Sequence, residues 1–472
     1  MSTLKRNLVY SVLLVLANYV FPFLTYPYVS RVLGVANIGA CNFVDSVINY
    51  FILFSMLGID SLGVREIAKH KGDRTALNKA FSNLFIVTLS LTIIMLVFLI
   101  ILTFTLPQLY EHKDLMFFGA FKLVFNCLLV EWLFKGLEDF RLITLRSIII
   151  KLFYVAAVFL FVKKRDDVWI YYMLSSMMVV INACVNILYA RNRVNLSFRD
   201  IDFFVTLKGL FTLGLYAILT SMYTTFNVTF LGFASGDTEV GYYSTAIKIY
   251  GIVMALFSAF TNVMIPRMSN VVANGDILKF KSYFRMAVDI LYGFSIPIIV
   301  WMITLSKDIV LVIAGQEFTG AVVPLTIISP LLFIIGYEQI LVLQTLIPLE
   351  KDKLLLRNSF IGAGLGVVLN LIIVPLWGAV GAAIVWAISE MVILILSQYA
   401  VTKVVSISFS FLSLLKNTAV YLPLVPLFIF CGHLNCAGIL KLVVSMIITG
   451  IYIYVLQRIM YKRDLLKIIL SR

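Results

Sequence analysis

The sequence predicts an all-α integral membrane protein with about fourteen transmembrane helices. Three observations predict this class: 61% of the 472 residues are hydrophobic, only 13% are charged, and the mean hydropathy is +1.01. Soluble domains carry about 25% charged residues. A water-soluble chain of this composition could not bury its apolar side chains, so lipid must form part of its solvent.

The individual spans follow from the apolar runs. These runs are long and continuous, which favours helices over strands of alternating polarity. A spanning helix needs about 20 apolar residues, and the N-terminal run is too long for a cleaved signal peptide. The predicted spans have the approximate limits 8–32, 37–59, 80–106, 114–135, 141–162, 168–190, 209–233, 239–266, 284–306, 322–346, 358–376, 379–402, 412–432 and 437–458.

The basic residues predict the orientation of these spans. Cytoplasmic loops of membrane proteins are enriched in Lys and Arg. Fourteen spans put 29 of the 38 basic residues on the side of the two termini and seven on the other side, while Lys122 and Lys248 fall inside spans. Both termini are therefore expected in the cytoplasm. The net charge of +14 resides in short loops between apolar runs, which argues against nucleic acid as a partner.

An internal repeat relates the two halves of the chain. A shift of 202 residues aligns GVANIG at 34–39 with GDTEVG at 236–241. Polar residues at spacings of three and four lie on one face of a helix. The mostly polar residues aligned by the shift are Asn18, Pro22 and Thr25 with Thr220, Thr224 and Asn227, and Asn42, Ser46 and Asn49 with Ser244, Lys248 and Gly251.

The repeat predicts two six-helix lobes, related in parallel, around a central polar cavity. The lobes comprise residues 1–200 and 201–403, and residues 404–472 add two transmembrane helices and a basic cytoplasmic tail. The alternative is that small and polar residues only let the helices pack closely.

Four segments of the chain resemble the Wzx-type polysaccharide flippases of the multidrug/oligosaccharidyl-lipid/polysaccharide exporter superfamily. The most specific is VVLNLIIVPLWGAVGAAIVWAISE at 367–390. The other three segments are VLGVANIGACNFVDSVINYF at 32–51, IPRMS at 265–269 and IVLVIAGQEFTGA at 309–321. Their order and spacing, more than any single motif, carry the resemblance.

The resemblance implies a transporter of the bacterial inner membrane. It implies that undecaprenyl-pyrophosphate-linked oligosaccharide units move from the cytoplasmic to the outer leaflet by alternating access, coupled to a proton or sodium gradient as in an antiporter. Such units build surface polysaccharides such as the O-antigen of lipopolysaccharide. A polysaccharide polymerase and a chain-length regulator are the protein partners expected. No cofactor, metal or catalytic residue is expected.

Charged residues inside spans are the main site candidates, because placing a charge at mid-bilayer costs at least about 2.5–3.5 kcal/mol. Lys248 could attract a pyrophosphate or acidic sugar, or pair with Asp45, the candidate ion-coupling residue. Lys122 and Arg31 could line the cavity or anchor at the interface. The predicted substrate-binding residues are Lys248, Arg31, Lys122, Asn18, Asn42, Asn49, Tyr216, Thr220, Tyr223 and Asn227.

Three other functions compete with this interpretation. A multidrug exporter would share the two-lobed fold but suits organic cations, and a peptidoglycan-precursor flippase would carry more arginine in its spans. A membrane glycosyltransferase or polysaccharide polymerase is the alternative of another class. Neither a phosphate-binding glycine loop nor a nucleophile–base set occurs in the sequence. A disulfide between Cys431 and Cys436 is left open.

Overall fold

The computed structural model describes residues 3–197, 201–433 and 437–460. The side chains outside this description are those of 3–9, 11–12, 15–16, 19, 212–213, 216–217, 223–224 and 457–460. Within the described ranges every regular element is a helix, which confirms the predicted all-helical class. Cys436, one member of the disulfide left open above, lies outside the described residues.

The first ten α-helices form the N-terminal half of the chain. They are α1 (Thr3–Met56), α2 (Ile59–Lys69), α3 (Arg74–Thr105), α4 (Pro107–Glu111), α5 (Lys113–Leu128), α6 (Glu131–Gly136), α7 (Phe140–Phe161), α8 (Val168–Ala190), α9 (Phe203–Thr224) and α10 (Phe226–Ser235). A 3₁₀ turn at Arg165–Asp167 joins α7 to α8.

Nine α-helices follow. They are α11 (Asp237–Ala273), α12 (Ile277–Thr304), α13 (Ser306–Ile313), α14 (Val322–Ile328), α15 (Leu331–Leu341), α16 (Asp352–Val405), α17 (Phe411–Tyr421), α18 (Leu424–His433) and α19 (Gly438–Met460). A 3₁₀ segment (Gln316–Ala321) precedes α14, and a π-helical segment (Val342–Leu346) continues α15.

Ten helices of the described chain are long and apolar enough to cross a membrane, or eleven if one pair bent by 44° is counted as a single span. The protein is therefore a multi-pass membrane protein. The predicted number of fourteen spans stays a prediction.

Two of these helices, α1 and α16, are 54 residues long, about 80 Å at 1.5 Å per residue. The hydrocarbon core is only about 30 Å thick. Each helix is interrupted at a glycine with positive φ, Gly34 (78°) in α1 and Gly378 (52°) in α16. These breaks fall between predicted spans 8–32 and 37–59, and between 358–376 and 379–402.

The described chain forms two compact units. The first unit comprises Met1–Ser244 with Ala363–Ala382, and the second comprises Thr245–Gly362 with Ala383–Arg472. Around α2, α3 and α6, the core of the first unit includes Phe81 stacked on Trp132 at 5.4 Å between ring centroids. The three-part division at residues 200 and 403 stays a prediction.

Large apolar side chains are exposed on this protein, and a few charged side chains are buried. Phe153 and Leu376 are 73% and 75% exposed, whereas Lys122 and Arg146 are each only 8% exposed. Lipid chains solvate exposed apolar side chains, whereas a charge inside the bilayer needs a partner. The buried charges and their partners are therefore the features that locate a candidate site.

Candidate functional site

A charge cluster in the first unit joins the buried Lys122 and Tyr172 to the partly exposed Asp45. Asp45 Oδ1 accepts hydrogen bonds from Lys122 Nζ at 2.6 Å and from the Tyr172 hydroxyl at 2.7 Å. The Lys122 ammonium also lies 4.1 Å from the centroid of the Tyr172 ring, where the electron-rich face attracts a cation. The cluster therefore holds a lysine inside the membrane by one ion pair and one aromatic ring.

Three helices bring this cluster together. Asp45 lies on α1, Lys122 on α5 and Tyr172 on α8. Gly119 lies one turn before Lys122, and a β-carbon there would lie only 2.7 Å from Ile48 and 3.4 Å from the Tyr172 hydroxyl. The missing side chain at Gly119 lets α5 approach both neighbours, as small residues do between membrane helices.

The cluster unites two predicted site residues with one that the sequence analysis missed. Asp45 pairs with Lys122, and the pair of Asp45 with Lys248 that the sequence analysis weighed stays a prediction. Lys248 is a half-buried residue of α11 in the second unit. Tyr172 gave no signal in the sequence, because tyrosines are common in apolar spans and its partners are distant in the chain.

The other predicted residues of α1 make local or exposed contacts. Asn18 is exposed and accepts a hydrogen bond from Lys151 Nζ of α7. Arg31 is exposed and donates to the carbonyl of Pro27, one turn earlier. Asn42 is half-buried and donates to its own helix, and Asn49 is exposed.

Asn227 lies in a fully buried polar chain. Its Nδ2 donates to the Tyr243 hydroxyl at 3.2 Å, and its Oδ1 accepts from Asn370 Nδ2 at 2.7 Å. With 0% exposure for Asn227 and Asn370, this chain ties α10, α11 and α16 together within the first unit. Its buried hydrogen bonds fix the packing of these helices.

Two tyrosines and a threonine complete the predicted set. Thr220 is half-buried on α9. The side chains of Tyr216 and Tyr223 lie outside the described part of the structure.

A second charge group surrounds the buried Arg146 with residues of α2 and α6, and it was not predicted as a site. Arg146 donates to Glu131 at 3.0 Å, and Lys135 lies 3.7 Å from Glu131 and 3.6 Å from Asp60. Nε and Nη1 of Arg146 are buried with no hydrogen-bond partner among the described residues. Glu131 therefore balances the charge of an almost fully buried guanidinium, which explains a carboxylate near the end of a span.

The two glycine motifs of the repeat have matching conformations and pack against each other. Gly34 has φ 78° and ψ 171°, and Gly236, 202 residues later, has φ 83° and ψ 179°. A β-carbon on Gly39 would lie 1.7 Å from the carbonyl oxygen of Asp237, and one on Gly241 would lie 2.4 Å from that of Val35.

These two close approaches are equivalent under the 202-residue shift, since Asp237 aligns with Val35 and Gly241 with Gly39. Such reciprocal contacts are what two copies of one motif make when they face each other across a two-fold axis. The two glycine motifs are thus alike in local conformation and contacts, while the repeat of two six-helix lobes stays a prediction.

His112 follows α4 and forms an ion pair with Asp237 of the second glycine motif. His112 Nε2 lies 3.2 Å from Asp237 Oδ1. The hydrogen bond to Asp237 raises the pKa of His112 above its usual value, against the opposing effect of partial burial, and the charges of Asp237 and Glu111 add to the rise. The pair therefore makes the contact between α4 and α11 sensitive to pH.

Comparison with known proteins gives the family. The model of the family described as "Polysaccharide biosynthesis protein" matches residues 4–272, more than half of the chain. The "Putative O-antigen transporter" of Escherichia coli (strain K12) is 27% identical over 397 residues, which cover 82% of this chain and 94% of that protein. The "Probable low-salt glycan biosynthesis flippase Agl15" of Haloferax volcanii is 26% identical over 218 residues, covering 44% of this chain and 45% of that protein.

Among solved structures, the lipid II flippase MurJ in an inward closed conformation aligns with a TM-score of 0.74. The alignment covers 96% of this chain and 99% of that one at 14% identity, so the likeness concerns the fold. The predicted resemblance to Wzx-type flippases, transporters rather than enzymes, is confirmed, and the chain belongs to the polysaccharide biosynthesis protein family.

Proposed function

We propose that this protein moves undecaprenyl-pyrophosphate-linked oligosaccharide units from the cytoplasmic to the outer leaflet of the bacterial inner membrane. Movement proceeds by alternating access of two lobes, 1–200 and 201–403, and is driven by a proton or sodium gradient. The units supply surface polysaccharide such as the O-antigen of lipopolysaccharide, with a polymerase and a chain-length regulator acting after transfer.

The observation that carries the proposal is the cluster of Lys122, Asp45 and Tyr172. A lysine only 8% exposed on a membrane helix requires a compensating role, because charges in spans are costly. An ammonium binds a phosphate as a point charge and demands no fixed bond geometry. A pyrophosphate that draws Lys122 away from Asp45 would exchange one charged partner for another, at little net electrostatic cost.

Asp45 is the group to which we assign ion coupling. Its side chain is 39% exposed, and we place this exposed part in the proposed cavity, where water and small cations reach the carboxylate. When Lys122 turns to the substrate, Asp45 loses its cation and gains affinity for a proton or sodium ion. Substrate and ion would then be coupled through the shared partner Lys122.

The remaining predicted residues extend the proposed path of the substrate. Lys248 and Arg31 add positive charge, and the amides and tyrosines offer hydrogen bonds and stacking surfaces to sugars. Asn227, being fully buried, contributes to this path only in a conformation that uncovers it.

The test is deletion of the gene in its host, followed by mass spectrometry of undecaprenyl-linked glycans. We expect complete repeat units to accumulate and to be accessible from the cytoplasmic face of inverted membrane vesicles. Complementation with the wild-type gene should remove the accumulated units. Lys122→Ala should fail to do so, whereas Lys122→Arg should restore part of the transfer because the charge remains.

The matched control is Lys71→Ala, which removes an exposed lysine paired with Glu138 at 3.3 Å and should complement fully. Immunoblots of membrane fractions separate loss of transfer from loss of protein. If deletion causes no accumulation but changes sensitivity to organic cations, the protein is a drug exporter. If Lys122→Ala complements fully, the proposed transfer of lipid-linked units is retained and the role of Lys122 in it is refuted.

A further inference from the structure

A polar cavity of about 420 Å³ lies in the second unit between α12, α15 and the segment 406–410 that precedes α17. Lys281, Arg285 and Asp289 line it from one face of α12, at successive spacings of four residues. Two like charges one helical turn apart destabilise a helix, and Asp289 offsets only one of them. The cavity therefore carries a net positive charge that an anion would neutralise.

Serine hydroxyls form the opposite wall of this cavity. Ser406, Ser408, Ser410 and Ser413 line it, and each hydroxyl can donate a hydrogen bond to an anionic oxygen. Gln398 holds this segment in place, because its Nε2 donates to the carbonyl of Ile407 at 2.9 Å and its Oε1 accepts from the Tyr337 hydroxyl at 2.8 Å. The donors are thus presented by an anchored segment.

An apolar groove of about 540 Å³ adjoins the polar cavity. Tyr337 and Phe409 line both spaces, and their rings meet edge to face at 5.4 Å between centroids. The groove continues along α12, α15, α16 and α17 past residues such as Ile299, Leu394 and Leu414. Ile395 and Phe411 on its rim are 59% and 63% exposed, so the groove opens where lipid chains lie.

We propose that this pair of cavities is a binding site for an anionic glycerophospholipid, with the phosphate at Lys281 and Arg285 and an acyl chain in the apolar groove. The glycerol hydroxyls of a phosphatidylglycerol headgroup can donate hydrogen bonds to the Asp289 carboxylate. They can also donate to the serine hydroxyls or accept from them. Lys281 and Arg285 belong to the side that the basic residues predict to be cytoplasmic, and basic pockets between membrane helices on that side suit anionic headgroups.

The size of the cavities favours a membrane lipid over the proposed oligosaccharide substrate. Sites for drug-sized ligands measure about 300–1,000 Å³. A cavity of about 420 Å³ suits a phosphate with a glycerol and leaves little room for several sugars. The site lies wholly in the second unit, apart from the cluster of Lys122, and the inference does not depend on the proposed function.

The test is native mass spectrometry of the purified full-length protein with phosphatidylglycerol, phosphatidylethanolamine and a polyprenyl phosphate as separate probes. We expect phosphatidylglycerol to bind most tightly. A basic residue beside an anionic lipid contributes about five-fold in affinity, so Lys281→Ala/Arg285→Ala should weaken phosphatidylglycerol binding roughly 25-fold. Lys279→Ala removes an exposed lysine of the same helix that does not line the cavity and should leave binding unchanged.

A second variant tests the groove without touching the charges. Leu394→Trp fills the apolar groove and should weaken phosphatidylglycerol binding while the polar cavity stays intact. Equal binding by wild type and the double alanine variant would overturn the proposal. Preference for phosphatidylethanolamine would refute an anionic ligand, and preference for the polyprenyl phosphate would show that the cavities serve a polyprenyl carrier instead.

Discussion

The backbone of Asp237 passes so close to Gly39 that a β-carbon on Gly39 would lie 1.7 Å from the Asp237 carbonyl oxygen. Real β-carbons do not come this close to a backbone oxygen. Glycine at position 39 is therefore a condition for the packing of α1 against the start of α11, both in the first unit.

Gly39→Ala is expected to lower the stability of the protein by about 1–3 kcal/mol or more, the range for overpacked positions. The reason is that backbone, rather than a flexible side chain, fills the space beside Gly39. Thermal unfolding in detergent measures the effect. Gly364→Ala is the control, since nothing lies within 4 Å of a β-carbon there; equal melting temperatures for the two variants would contradict the assigned contact.

Lys122→Ala is expected to destabilise the first unit as well as to impair transfer. The substitution removes the ion pair with Asp45, and hydrogen bonds to charged groups contribute about 1.5–3 kcal/mol. Since the Asp45 side chain is 39% exposed, solvent screening puts the effect at the low end of that range. A thermal double-mutant cycle with Asp45→Ala measures the coupling, and purely additive losses would show that the two side chains do not interact.

Glu131→Gln is expected to lower the stability of the protein strongly, although Glu131 does not belong to the cluster of Asp45, Lys122 and Tyr172. It leaves the Arg146 side chain, only 7% exposed, without its carboxylate, and breaking a buried ion pair costs about 3–5 kcal/mol. Membrane yield and melting temperature are the measurements. The control is Glu138→Gln at an exposed pair with Lys71, expected to cost under about 1 kcal/mol; comparable losses for both would refute the buried pair.

The pair of His112 and Asp237 predicts a stability that falls as pH rises. The folded-state pKa of His112 is raised, chiefly by the hydrogen bond to Asp237. The stabilisation is therefore fully present below the unfolded value of about 6.5 and is lost as pH rises through the raised pKa. We expect a contribution of about 1 kcal/mol.

Melting temperatures of wild type and His112→Gln between about pH 5.5 and 8.5 check this expectation. The two proteins should differ most at the acidic end and converge at the basic end. A constant difference across the range would mean that the charge of His112 does not contribute.

The helical membrane class and the family could be predicted from the amino-acid sequence alone. These follow from local properties, because a long apolar run must form a helix in lipid whatever its neighbours are. The predicted spans also end close to Gly34 and Gly378, where the structure interrupts the helices. Glycine suits these positions because it readily adopts a positive φ.

The pairing of the charged side chains, by contrast, depends on how the helices pack. Asp45 pairs with Lys122, 77 residues away, a partner that the sequence analysis did not consider, because the choice depends on which helix faces Asp45. The sequence likewise identified Asn227 as a polar residue of a predicted span, but it did not show that Tyr243 and Asn370 are its hydrogen-bond partners. Hydropathy and spacing are properties of one segment, whereas the partner of a buried polar group depends on how separate helices pack.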